Sequence, residues 1–303
     1  MKECLQELYN LEVIGFIRLS KYVYKVKTKD QFYCLKYTTN IHLERMYEHI
    51  CSLQMNCFVR ICKNKEKHIL SKYHDQYFYL MPYLEMDQGI VKELKIKYYL
   101  ETISNVHNSS FFQCAISKDY FKKQVQDISN TLESRKKYYQ TMMNNYENMY
   151  YRSPSGWMFV LNYYRLKRML EKVTSFMDEY QMVTKEIHHL RVCLVYQHFD
   201  YQHIMMKQQT LISIDKIDIM QCIYDIYVLY QSSIDFIYDF DVLFEYYLSR
   251  VHLQKQEKVL LSSLLCLVPI IELEQDEVHN IINMARLFYY IDSIEGLLEQ
   301  LKE

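Results

Sequence analysis

The sequence predicts an α+β protein of two lobes: a small antiparallel β-sheet lobe with one helix, then a large, mostly helical lobe. Three observations predict it. Residues 11–38 fall into short runs rich in β-branched and aromatic side chains, the residue types that fit a pleated, half-buried surface. A second hairpin pattern covers 67–85. Beyond about residue 88 the apolar residues recur at spacings of three and four, the period of a helix.

The first lobe runs from 1 to 86. LEVIGFIRLS (11–20), YVYKVKT (22–28) and QFYCLKYT (31–38) read as strands, with KTKDQ (27–31) turning between the last two. Asn40 is of the type that caps a helix, because its side-chain oxygen can accept one of the open N–H groups at a helix start. The helix follows through IHLERMYEHICSL (41–53), on Ile41, Met46 or Tyr47, and Ile50 or Leu53. KHILSKYHDQYFYLMPYLE (67–85) then reads as a hairpin turning at His74–Asp75. It ends at Pro82, which has no N–H to give to a ladder. Residues 82–86 form the hinge.

The second lobe covers 87–303. Its clearest helix lies between Trp157 and Tyr180, where Phe159, Tyr163, Leu166, Leu170, Val173, Met177 and Tyr180 make one apolar stripe. SPSG (153–156) breaks the chain just before it. Residues 117–150 form a long polar helix at the domain edge, so that about 117–183 reads as a helical insertion. The SRKKYY cluster within it is a solvated face. The last helix, 276–302, carries a stripe through Val278, Ile281, Phe288, Ile291 and Leu298. No fixed-period repeat is present.

Composition excludes several classes. Half of the 303 residues are apolar, enough for a sizeable core. With 36 basic against 37 acidic residues, the chain lacks the cationic excess of a nucleic-acid binder. The nine cysteines include no CxxC pair, and Cys51, Cys57 and Cys62 lack zinc-ligand spacing. Buried thiols in a reducing cytoplasm are expected. MKECLQELYN (1–10) has no apolar core of a signal peptide, and VLLSSLLCLVPII (259–271) is too short to span a bilayer. No membrane partner is expected. The 31 tyrosines beside four glycines and three prolines match a bias toward AT-rich codons, so a missing glycine carries less meaning here than elsewhere. GxSxG, Walker A, HExxH and Rossmann fingerprints are all absent, and His188–His189 read as surface residues on a helical stretch.

One stretch carries candidate chemistry. In LVYQHFDYQHIMMKQQTLISID (194–215) a strand ends, a His/Asp-rich loop follows, and a hairpin delivers Asp215. With the strand lysine Lys36 in YCLKYT (33–38), the FYLMPYLE hinge (78–85) and VHNSSFF (106–112), the order of segments resembles the protein-kinase-like fold. ENMYYRSPSGWMFVLNYYRL (147–166) is similar to a linker-and-helix signature of the CotS-like spore coat proteins. These belong to the aminoglycoside phosphotransferase and choline kinase group. The resemblance is spread thinly over almost the whole chain.

That resemblance implies a role for each position. Phosphoryl transfer needs a lysine on the phosphates, oxygen ligands on Mg²⁺ and a carboxylate to receive the hydroxyl proton. Lys36 would be the lysine, oriented by Glu48 in preference to Glu44; a solvated strand lysine is the alternative. Gly15 is all that stands for a glycine-rich loop, with Phe16, Arg18 and Lys21 where backbone amides would meet phosphates. Asp225, in IYDIY, resembles the Asp that anchors the catalytic loop; a plain helix-start carboxylate is the other reading.

The catalytic-loop-like segment, 192–218, admits two registers. A gap-free match to His-Gly-Asp, with Asn five residues later, puts Tyr196, Gln197 and His198 on the triplet and His203 on the Asn. Asp215 then falls twelve residues after His203, on the return strand of a hairpin turning at KQQ (207–209). The rival register makes Asp200 the base but must delete two residues between base and metal ligand. Under the preferred register the base and the amide are both replaced by imidazoles. Mg²⁺ prefers hard oxygen ligands, and paired imidazoles suit zinc better. Structural, hydrogen-bonded histidines are the plainer reading. Lys216 would pair with Asp215 or oppose a dication, and Asp218 is an alternative carboxylate, three residues late.

The expectation is a catalytically impaired kinase-like protein acting as a binding or structural component. The resemblance places it in the mother-cell cytoplasm or the spore coat of a low-GC spore former, with other coat proteins as partners. A nucleotide or other small-molecule ligand is compatible with it. The alternative is an active phosphotransferase using ATP and Mg²⁺ on a small alcohol. The base and metal positions discriminate the two.

Overall fold

The computed structural model describes residues 1–233 and 240–302; residues 234–239 and 303 of the expected second lobe lie outside them. The chain divides into two compact units, Met1–Ser110 with Leu194–Ile219, and Phe111–Cys193 with Met220–Glu303. The loop segment 194–219 therefore shares a unit with the β-rich residues 1–86, from which the expected lobe boundary separated it.

The first unit opens with helix α1 (Lys2–Tyr9), then β1 (Val13–Arg18), β2 (Val23–Thr28) and β3 (Phe32–Thr38). Helix α2 (Leu43–Ser52), the hairpin β4 (Ser71–Tyr73) and β5 (Gln76–Pro82), and helix α3 (Lys92–Ser110) follow. The strands form one antiparallel sheet in the order β1-β2-β3-β5-β4. Alternate side chains leave a strand on opposite faces. Val26, Leu35, Phe78 and Leu80 therefore share one face, where they bury Leu5 of α1. Tyr37 joins them, its ring edge-on to both Tyr24 and Phe78 at 6.1 and 6.2 Å. The opposite face carries Lys36, registered directly across from Tyr79.

Two local expectations shift. Helix α1 arises from a segment read only for its lack of a signal peptide; fully buried Leu5 anchors it, with Cys4, Leu8 and Tyr9 packed on the same core. Asn40 is not the cap of α2, whose cap position is His42. The Asn40 side chain accepts the His42 N–H at 2.9 Å and gives its own N–H to the Asp215 main-chain oxygen at 2.9 Å. It joins the helix entry to the loop segment instead of opening the helix.

The second unit begins with strand β6 (Phe112–Ala115), helices α4 (Tyr120–Glu147) and α5 (Pro154–Thr184), and strand β7 (His189–Val195), which pairs antiparallel with β6. After the loop segment the chain returns through helices α6 (Ile223–Ser232), α7 (Phe240–Arg250), α8 (Lys255–Cys266) and α9 (Glu277–Lys302). Strand β6 and the placing of His189 on β7 correct the helical reading of these stretches; both histidines 188 and 189 are exposed.

Helix α5 is the centre of this unit, packed by α8, α4 and α9. Its predicted stripe is buried except for half-buried Tyr163. Each such side chain contributes about 1.5–3 kcal/mol by leaving water, far more than helix propensity differences of tenths. Ser153 caps α5 by accepting the Gly156 N–H, with Pro154 at the first helical position. In α9 the stripe holds at Phe288, Ile291 and Leu298, whereas Val278 is exposed.

The tyrosines are largely a core material. Tyr79, Tyr99, Tyr139, Tyr180, Tyr196, Tyr230, Tyr247 and Tyr290 are all fully buried. A tyrosine in a core needs a partner for its hydroxyl, and main-chain oxygens supply several. Tyr138 and Tyr139 of α4 donate to Ile271 O and Pro269 O, and Tyr290 donates to Leu265 O. Together with Arg135, which donates to Leu267 O and Val268 O, the Tyr138 and Tyr139 bonds tie down the chain after α8.

A methyl at Gly156 would sit 2.6 Å from the ring of buried Tyr146. Gly156→Ala is expected to lower the thermal midpoint, with a cost of about 1–3 kcal/mol for overpacking. An unchanged midpoint in a thermal melt would show that the ring moves aside freely.

Candidate functional site

The candidate site is built within the first unit, where the sheet face bearing Lys36 and Tyr79 receives the loop segment. Lys36 Nζ lies 2.5 Å from Asp215 Oδ1 and donates to Ser213 Oγ at 3.2 Å. Tyr79 donates its hydroxyl to the same Asp215 oxygen at 3.2 Å. Side-chain exposures of 13% and 16% for Lys36 and Asp215 leave the pair little water to compete with. Glu48 is exposed on α2, and Asp215 takes its expected place as the carboxylate partner of Lys36. Glu44 is engaged elsewhere, with His68 Nδ1 at 2.8 Å.

The loop is held by main-chain and aromatic contacts. Strands β8 (Ile204–Met205) and β9 (Thr210–Leu211) form a short hairpin turning over Met206–Gln209. Asp87 accepts the Met206 N–H at 2.6 Å, and Leu211 exchanges backbone bonds with Cys57 and Val59. Buried Lys95 donates to Tyr201 O at 2.7 Å. Tyr196 stacks near Phe58 and gives its hydroxyl to Ile212 O.

The two histidines come together. The rings of His198 and His203 are 4.4 Å apart at 73°, and His198 Nδ1 lies 3.3 Å from Ser213 O. Buried His203 Nδ1 has no hydrogen-bond partner among the described residues. Asp200 is exposed; its carboxylate accepts the Gln202 N–H at 2.8 Å, capping a single turn of 3₁₀ helix over Tyr201–His203. Gln197 and Ser213, on either side of the histidine pair in the chain, have φ of 52° and 63°. These left-handed conformations cost a non-glycine residue free energy and persist only where the surroundings enforce them.

Electrostatics sort the groups. Burial opposes ionisation of Asp215, but the charge and hydrogen bond of Lys36 outweigh it and hold the carboxyl below its ordinary range. Burial, then the charge of Asp215, pushes the Tyr79 hydroxyl well up. Burial lowers His198 to about 4, helped by His203, Lys216 and Lys36 and opposed by Asp215. Burial also lowers His203. Near neutral pH the site therefore holds one internal ion pair and two uncharged imidazoles.

Other expected residues stand apart. Gly15 lies inside β1, paired with Lys27 just after a bulge, and not in the β1–β2 turn. Asp225 is buried in the first turn of α6, in the second unit. Lys216 is exposed and leaves Asp215 to Lys36; Asp218 is exposed and accepts its neighbour's Ile219 N–H. Sequence reading missed Tyr79, Ser213 and Lys25. The period-2 register of β3 and β5 could have found Tyr79. Lys25, on β2 opposite Cys34, sets its ammonium over the rings of Phe32 and Tyr83 at 4.3 and 3.8 Å.

These residues do not fit a magnesium nucleotide. One Asp215 oxygen is already taken by Lys36 and Tyr79, and the neighbouring side chains of His198 and His203 are imidazoles, not hard oxygen ligands. Among the described residues no group of three or more His, Cys, Asp or Glu converges as a metal-ligand set. Among the same residues, no helix is long and apolar enough to cross a membrane.

No family model and no curated protein matches the chain. Solved structures do. An aminoglycoside phosphotransferase from Alicyclobacillus acidocaldarius subsp. acidocaldarius DSM 446 matches with a TM-score of 0.70 at 11% identity, over 99% of this chain and 96% of that one. Spectinomycin phosphotransferase in its AMP-bound complex matches with a TM-score of 0.62 at 10% identity, over 97% and 96%. At such identities the likeness is one of fold. The chain has the two-lobed, α+β kinase-like fold of the aminoglycoside phosphotransferase type.

An unfolded histidine takes its proton near 6.5. Between that pH and about 4 the unfolded chain thus binds more protons than the folded one at His198. The stability from neutral His198 is full above the upper limit and is lost as pH falls through the window. Proton NMR should find His198 titrating far below an ordinary histidine, and His198→Gln should shrink the acid loss of stability. An ordinary midpoint would contradict this geometry.

Proposed function

We propose that the chain is a catalytically impaired kinase-like protein that acts as a binding or structural component. The observation that carries this is the direct Lys36–Asp215 pair, which cancels the two charges a phosphotransferase would spend on phosphate and metal. The neutral imidazoles of His198 and His203 at the base and amide positions support it. So does Gln197: in the gap-free register it stands at the glycine of the triplet, and its φ of 52° is one that glycine adopts without strain. The CotS-like segment 147–166 supports a finer reading as a spore coat type of protein, with other coat proteins as partners, in the mother cell or the coat.

A second reading keeps the chemistry. The likeness to aminoglycoside and spectinomycin phosphotransferases and the meeting of Lys36 with Asp215 favour an active enzyme that uses ATP and Mg²⁺ on an alcohol. Asp200 would then be its base. Against this, the Asp200 carboxylate is exposed and spent on a local backbone amide.

Calorimetry with ATP, with and without Mg²⁺, separates the readings. Weak binding that Mg²⁺ barely improves is expected; micromolar affinity that depends on Mg²⁺ would overturn the proposal. His198→Asp combined with His203→Asn should raise Mg²⁺-dependent binding, because it returns a carboxylate and an amide oxygen to the loop. Asp200→Asn should change nothing, whereas loss of a general base typically costs a factor on the order of 100 to 10,000 in rate.

The pair also has a stability signature. Asp215→Ala leaves a mostly buried lysine without its counter-charge and should cost about 3–5 kcal/mol, whereas Lys36→Met with Asp215→Leu should cost much less. Chemical denaturation of the three proteins reads this directly. Equal losses in the single and double variants would show that the two charges are not coupled.

A further inference from the structure

The second unit contains a cleft that plays no part in the site above. It lies where the chain leaves β6 and enters β7, between the start of α4 and the end of α5, and its volume is about 650 Å³. That is within the range of small-molecule sites, roughly 300–1,000 Å³. Its apolar lining is Ile116, Phe121, Val125 and Ile187, all half-buried. This surface is held in place: Ile116 N–H donates to His188 O at 3.3 Å, and the Phe121 ring stands edge-on to buried Tyr180 at 5.8 Å.

The charged lining has one sign. Lys118, Lys122 and Lys185 line the cleft, and no carboxylate does. None of the three takes part in an ion pair among the described residues. Asp119 and Glu186 flank two of them in sequence but do not line the cleft. Three ammonium groups unbalanced at the edge of an apolar floor, in a chain whose net charge is −1, form a local field that attracts an anion. The floor rewards a ligand that also brings apolar surface.

We propose that this cleft binds a small amphiphilic organic anion, a carboxylate or phosphate head on an apolar body. The head sits among the lysines, and the body covers Phe121, Val125 and the two isoleucines. This binding is independent of the nucleotide reading.

The test is calorimetry on the full chain with dodecanoate and dodecyl phosphate, below their micellar concentrations. Acetate serves as the head alone, and dodecyltrimethylammonium as the same tail under a cation. Both amphiphilic anions should bind at one site per chain, more weakly as salt rises, and neither control should bind. Replacing all three lysines with glutamine should weaken binding by about tenfold or more, as the sum of three exposed charge contacts. Val125→Asp should abolish binding, because it sets a carboxylate in the floor. Equal binding of the cationic surfactant, or unchanged affinity in the lysine variant, would overturn the proposal. A fluorescent acidic peptide that binds in the cleft far more tightly than either anion would overturn it too, by showing that the occupant is a polypeptide.

Discussion

The ion pair between Lys36 and Asp215 is the constraint around which the first unit is organised. It joins the middle strand of the sheet to a segment 179 residues away in the chain. A buried pair of this kind offsets its desolvation only when further hydrogen bonds complete it. Ser213, Tyr79 and Asn40 do so: the hydroxyl of Ser213 accepts from Lys36, Tyr79 donates to the carboxylate, and Asn40 holds the Asp215 main chain. The left-handed backbone at Ser213 follows from the same demand, since the chain must turn there to present both Ser213 and Asp215 to one lysine.

Much of this was legible in the sequence, for identifiable reasons. The strand patterns of 11–38 and 67–85 were readable because one face of the sheet is a continuous apolar core, which forces period 2. The α5 stripe was readable because that helix is covered by three others. The hairpin turn followed from loop length, but Asp215 lies beyond its return strand β9, in a single 3₁₀ turn over Ile214–Lys216. What could not be read depends on partners distant in sequence. Nothing local tells that Lys36 meets Asp215 instead of Glu48, or that Asn40 serves a carbonyl far away instead of its own helix. Strand β6 is four exposed residues that owe their conformation to pairing with β7, so their own composition carries no signal.

The tyrosine content illustrates the same division. Composition sets how many tyrosines there are, but not where they lie. In this chain a phenol ring often fills core volume that an aliphatic residue would otherwise fill, and its hydroxyl then has to be satisfied. Main-chain oxygens of the irregular segments at 212 and 269–271, and of Leu265 at the end of α8, accept these bonds. Helix surfaces and extended connections are thereby linked without glycine-rich turns, which four glycines could not supply.

The candidate site makes electrostatic sense as it stands. In a kinase-like centre the base and the metal carboxylate are like charges held close together, a costly arrangement unless divalent cations sit between them. Here His198 is held as a neutral imidazole and Asp215 has a lysine of its own. The Asp215 carboxylate is thus balanced by a side chain of the sheet. The remaining cost is local: one imidazole nitrogen of His203 is buried without a partner among the described residues, and Gln197 keeps a conformation better suited to glycine. The aromatic packing of Tyr196 and the backbone bonds at 57–59 hold the loop in place.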